Sequence, residues 1–112
     1  MSTLEDRLAA AAGIRKGLES WPDANHWCKG MFTGEGPNGE KQSCTYQMLI
    51  NGGMPGGTTA HLLAKGEICR VAETRGHASF GGNICAVNNT ITDFATLRDI
   101  VDTAAANLEK AE

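Results

Sequence analysis

ITDFATLRDIVDTAAANLE, residues 91–109, decides the fold class of this chain. Phe94, Leu97, Ile100, Val101, Ala104, Ala105 and Leu108 recur at spacings of three and four, which draws one apolar stripe along a helix. Thr92 or Asp93 supplies a cap, and Ile91 stands where a hydrophobic staple would. Asp99, Asp102, Asn107 and Glu109 take much of the remaining surface. The final twenty residues hold five acids and two bases, while the rest of the chain balances to zero. The stretch therefore predicts an amphipathic helix that packs on a core and turns an acidic face to solvent or to a basic partner.

Working outward, residues 2–21 predict a second helix. Ser2 and Glu5 have capping-box spacing, and Glu5 and Asp6 suit the positive end of the helix dipole. Leu4, Leu8, Ala9, Ala11, Ala12, Ile14 and Leu18 form a broad apolar stripe. Gly13 and Gly17 are read as tolerated weak positions, each costing about 1 kcal/mol against alanine, in preference to a close helix crossing. Pro22 ends the segment near Ser20 or Trp21. A third helix starts at Thr58 or Thr59 and runs to about Thr74, with Leu62, Leu63, Ile68, Val71 and Ala72 inward and Gly66 as an interruption. Arg75-Gly76 closes it.

The middle of the chain is glycine-rich. Pro37-Asn38-Gly39, the run from Gly52 to Gly57 and Gly81-Gly82-Asn83 read as turns. Trp27–Phe32 and Gln42–Ile50 fit two strands of a long-looped hairpin, or an extended piece followed by a short helix capped by Ser43. The second reading is preferred, on the helical face of Tyr46, Leu49 and Ile50. The expectation is a mainly α, single small domain over residues 1–112. It has three to four helices, a glycine-rich middle and, on the alternative reading, a short hairpin.

Composition narrows the function classes. The apolar fraction of 41% supports one modest core, and a net charge of −3 argues against a protein that lives by gripping phosphates. Lys29, Lys41, Lys65, Arg70 and Arg75 are dispersed, and no glycine-rich phosphate loop is present, so there is no clear nucleic-acid or nucleotide signal. The opening residues lack the basic and apolar regions of a signal peptide, and no 18-residue apolar run exists. These features predict a cytoplasmic protein with no membrane segment.

Four cysteines stand at 28, 44, 69 and 85, separated by 16, 25 and 16 residues. In a cytosolic chain reduced thiols are preferred over two disulfides or a metal site. A zinc site would draw on Cys28, Cys44, Cys69 and Cys85 with His26, His61 and His77, but the short local ligand arms that zinc favours are missing. A cysteine–histidine nucleophile would use Cys28 beside His26, or Cys44 at a helix start whose positive end favours the thiolate. The plainer reading, small hydrophobes in the core, carries more weight. Trp21, Trp27, Met31 and Phe32 lie within twelve residues. The reading given more weight is that they lid the core. The alternative is a partner-binding surface of Trp27, Met31, Phe32 and His26, with Trp21 in the core and Trp27 shared between core and surface.

Joined together, these landmarks resemble the layout of an uncharacterised group of small actinobacterial and actinophage proteins. A helix leads to a tryptophan segment, Trp27–Phe32. Next, a cysteine opens a short apolar helix, Cys44-Thr-Tyr-Gln-Met-Leu. Later an asparagine-rich turn, Asn88-Asn89-Thr90-Ile91-Thr92, precedes a threonine-capped final helix. The chain lacks a Gly-Ala pair after the cysteine segment and has Asn89 where that layout has an aspartate. The resemblance implies a phage origin and a fold neighbourhood, but no reaction. The expected function is a small protein-binding or regulatory domain, phage-encoded and host-directed, that is not an enzyme and needs no cofactor. The alternatives are a thiol- or zinc-dependent enzyme or metal-binding protein, and a self-assembling structural subunit that forms a homo-oligomer.

Overall fold

In the computed structural model, which describes residues 3–110, three long helices form the body. They are α1 (Leu4–Leu18), α3 (Thr59–Thr74) and α5 (Phe94–Glu109). Each packs against the other two. Between α1 and α3 lie a 3-10 turn (Ala24–His26), an antiparallel hairpin of β1 (Thr33–Glu35) and β2 (Lys41–Ser43), and α2 (Thr45–Asn51). A short helix, α4 (Ile84–Thr90), precedes α5. The chain is thus mainly helical, with five α-helices among the described residues rather than three to four. None among the described residues is long and apolar enough to cross a membrane.

The α5 stripe packs as its periodicity predicts. Leu97, Ile100, Val101, Ala104, Ala105 and Leu108 are buried, and Asp93 caps the helix by accepting from Thr96 N. Its acids are met from within. Arg15 of α1 donates to Asp102 at 2.7 Å and to Glu109 at 2.8 Å, and Arg75 donates to Asp99 at 2.6 Å. Much of the acidic face is therefore already paired with the chain's own bases, in exposed ion pairs whose worth to stability is small.

Helix α1 departs from its expected phase. Ser2 lies outside the described residues, and the capping box is formed one step later, by Thr3 and Asp6. Leu4 and Leu8 are about half exposed, while Ala10, Ala11, Gly13, Ile14, Gly17 and Leu18 face inward. The cause is close approach. A Cβ on Gly17 would sit 2.4 Å from the Met48 carbonyl oxygen, and one on Gly52 would sit 2.0 Å from the Gly13 carbonyl oxygen. Gly13 and Gly17 are therefore the contact that brings α2 and the turn after it against α1, not tolerated weak positions. The helix also stops at Leu18, two or three residues before the expected end, where the Ser20 hydroxyl donates to the Gly17 carbonyl.

Helix α3 has Thr58 as cap and runs unbroken through Gly66. His61, rather than Leu62, takes the buried phase, and Leu62 is 49% exposed. The helix closes on Gly76 at φ +85, with Gly76 N–H donating to Glu73 O and His77 N–H to Ala72 O, the two bonds of a Schellman end. In the middle segment the preferred reading, a short helix after an extended piece, holds. The hairpin also forms, but not from the expected strands: Trp27–Phe32 is not a strand, Thr33–Glu35 pairs with Lys41–Ser43, and the rest of Gln42–Ile50 goes into α2 and its cap. Gly39, at φ +80, turns the hairpin through Pro37-Asn38-Gly39, and α2 follows directly. Its cap is Cys44, not Ser43. Ser43 is still in the ladder, and its carbonyl accepts from the Trp21 indole at 3.0 Å.

Two alanine substitutions separate the roles of the glycines. Gly66→Ala adds a methyl to open space in mid-helix and should raise stability by about 0.5–1 kcal/mol. Gly17→Ala, equally helical, should lower it by about 1–3 kcal/mol through overpacking against Met48. Urea unfolding of both checks the assignment, which two shifts of the same sign would refute.

Candidate functional site: a thiol-lined cleft beside an aromatic arm

The candidate site is organised by Asn88, a fully buried polar side chain on α4. Its Oδ1 accepts from the Trp27 indole at 2.7 Å, from Thr45 N at 3.0 Å and from the Thr45 hydroxyl at 2.7 Å. Its Nδ2 donates to Cys28 O at 2.9 Å and to Asn89 Oδ1 at 3.2 Å. These partners fix the orientation of the amide, because donors meet only the oxygen and acceptors only the nitrogen. One side chain thus joins the segment from Trp27 to Phe32, the N-terminus of α2, and α4. Asn89 adds a clasp by accepting from Gly30 N at 2.9 Å.

Residues 88–90 do not form the turn expected of Asn88-Asn89-Thr90. They complete α4, which Asn83 caps by accepting from Cys85 N and Ala86 N and which buries Ile84 and Val87. A seven-residue run rich in asparagine and β-branched residues has little helical propensity of its own, so tertiary contacts hold it.

Trp21 is wholly buried, as expected, and packs edge-on against Phe94 with ring centroids 5.6 Å apart. Trp27 is half-buried. It meets the same Phe94 at 5.7 Å, and Lys29 Nζ lies 5.1 Å over its ring. Beyond it the chain emerges. Met31 is 56% exposed and Phe32 58%, with Phe32 resting on Tyr46 at 5.5 Å. The two tryptophans therefore lid the core, whereas Met31 and Phe32 do not.

Beside this arm opens a cleft of about 200 Å³. Gly30, Met31 and Phe32 line it from the arm. Cys44, Cys85, Asn88 and Asn89 line it from α2 and α4. Cys28 is not among the residues that line it but neighbours Cys44. Trp27 bridges Ser43 in parallel register, which sets Cys28 and Cys44 side by side, and Cys28 Sγ donates to Met31 O at 3.5 Å. Three of the four cysteines, distant in sequence, thus converge, and all four are free thiols. Among the described residues no group of three or more histidine, cysteine or acidic side chains is arranged to hold a metal ion.

The histidines lie elsewhere. The His26 ring bonds Asp23 at 2.8 Å and borders a separate polar groove with Lys41 and Gln47, so it joins neither the aromatic arm's cleft nor Cys28. His61 is buried, with Nδ1 on Met54 O at 2.9 Å and its ring against Tyr46. His77 follows the end of α3. No cysteine–histidine pair is assembled at the cleft. Nor does the start of α2 activate Cys44. Burial pushes its thiol up in pKa and outweighs the opposing N–H groups of Gln47 and Tyr46, and Cys85 adds to the upward push. Burial, with a contribution from Cys44, likewise raises Cys28.

Comparison with protein-family models, curated proteins and solved structures finds no match to this chain.

Cys69, apart from the cleft on α3, is held up to about 11 by burial and by nearby Glu73. The unfolded chain releases this proton near pH 9. Between pH 9 and 11 it therefore binds fewer protons than the folded chain, and stability falls as pH rises, by at most about 1.4 kcal/mol per unit for one thiol. Below that window the effect vanishes. Urea unfolding at pH 7, 9 and 10.5 should show a steeper alkaline loss for the wild type than for Cys69→Ala. Parallel curves would refute the assignment.

Proposed function

We propose that the chain is a small cytoplasmic protein-binding domain whose contact surface is the Met31–Phe32 arm and the adjoining cleft. The observation that carries this reading is the exposure of two adjacent large apolar side chains at the mouth of a concavity. Buried anchors in pockets supply most of the energy in protein interfaces, and aromatic residues are prominent among them. The arm is also held before any partner arrives, by the Trp27–Asn88 and Gly30–Asn89 bonds, which lowers the ordering cost of association. The occupant that fits is a partner segment presenting an apolar side chain to the cleft, with the methionine and phenylalanine closing over it. His26, which borders another groove, falls outside this surface.

The resemblance to actinobacterial and actinophage proteins extends the proposal to a phage-borne gene and a host protein as partner. The internal pairing of Asp99, Asp102 and Glu109 with Arg75 and Arg15 makes α5 the weaker candidate for recognition.

The test is selection of binding peptides from a random display library on the folded domain, followed by anisotropy titration of the selected peptides. Phe32→Ala and Met31→Ala should each weaken binding by about tenfold or more while leaving the melting curve nearly unchanged. Leu4→Ala, an exposed apolar change elsewhere, should leave affinity unaltered. Peptides that bind Phe32→Ala as well as they bind wild type would reject the surface.

A further inference from the structure

We infer that Cys85 and Cys44 form a thiol–disulfide exchange site for low-molecular-weight disulfides, in which Cys85 is the entry thiol and Cys44 the resolving thiol. Three observations place it. Both side chains line the same cleft of about 200 Å³. Cys85 lies one turn before Asn88, on the side of α4 that bonds Thr45, and Thr45 directly follows Cys44. Cys85 is also partly exposed, whereas Cys28, Cys44 and Cys69 are buried. An incoming disulfide therefore meets Cys85 first. Cys28 is a near neighbour of Cys44, but it is not among the residues lining the cleft, and its Sγ is turned to Met31 O. Cys69, on α3, is not part of the cleft either.

The chemistry balances in two displacements. The Cys85 thiolate attacks one sulfur of the small disulfide, the S–S bond breaks, and one small thiolate leaves and takes up the proton that Cys85 released. The Cys44 thiol then gives up its proton and, as thiolate, attacks Sγ of Cys85. This forms the Cys44–Cys85 bond, breaks the mixed disulfide and expels the second small thiolate, which takes up that proton. Two protein thiols are oxidised, and one small disulfide is reduced to two thiols. The product would tie the start of α2 to α4 across the floor of the cleft, so the cleft's shape would follow the thiol–disulfide balance of its surroundings. In a reducing compartment the bond would be transient. This inference does not depend on what docks at Met31 and Phe32.

The experiment exposes the folded, full 112-residue protein to oxidised glutathione at pH 8, then quenches with acid for intact mass and peptide mapping. The wild type should pass through a glutathione adduct on Cys85 and then lose the adduct together with two hydrogens, leaving one Cys44–Cys85 link that a small dithiol reverses. Cys44→Ser keeps a capping side chain at the start of α2 and should stop at the adduct. Cys85→Ser should react at least about tenfold more slowly, since the remaining thiols are buried. Thermal unfolding of each variant establishes that it is folded. A wild-type protein that stops at the adduct, stays unmodified, or links a different pair would overturn the inference.

Discussion

The middle of this protein depends on one buried amide. Asn88 accepts three hydrogen bonds and donates two, and its partners come from the aromatic arm, from α2 and from its own helix. A polar group taken out of water without partners costs roughly 1–3 kcal/mol, so the satisfied amide and its partners stand or fall together. The same bonds explain why a glycine-rich segment holds a shape. With Asn88 in place, the Trp27 indole is anchored, the start of α2 is set, and the cleft between Cys44, Cys85 and Phe32 has walls.

A second constraint joins this segment to the helical body. Gly17 and Gly52 let backbone approach backbone where α1 meets α2 and the turn after it, at distances that a Cβ on either would forbid, and Gly13 leaves room for the Met54 side chain. The approach brings Met48 and Met54 against α1 and shifts the helix's buried face onto Ala10, Gly13, Ile14 and Gly17. Leu4 and Leu8 are left at the surface in consequence. Phe94 completes the junction by packing against both tryptophans, so the first turn of α5 supports the arm as well as the core.

The long helices were legible because their signals are local. The α5 stripe and its Asp93 cap, and Thr58 and Gly76 at the ends of α3, follow from spacing and capping chemistry within a few residues. What was not legible depends on partners far along the chain. Composition alone made Gly13 and Gly17 look like weak points, since their role needs Met48 and Met54 on the other side. Asn88 and Asn89 look like turn residues until Trp27, Thr45 and Gly30 are placed beside them. The convergence of Cys28, Cys44 and Cys85 has no spacing signal either, because separations of 16 and 41 residues are closed by the hairpin and by α4. The aromatic segment was visible as a candidate surface, but its division into core tryptophans and an exposed Met31–Phe32 pair required the packing of Phe94 and Tyr46.

The most direct test of this account is hydrogen exchange, followed by NMR, in Asn88→Ala. The two tryptophan indoles are the reporters, since Trp27 donates to Asn88 and Trp21 donates to Ser43 O. Loss of the amide should strip protection from the Trp27 indole and the Thr45 amide, while the Trp21 indole and the central amides of α3 and α5 remain slow. Unchanged protection at Trp27 would contradict the claim that Asn88 fastens the arm to the helical body.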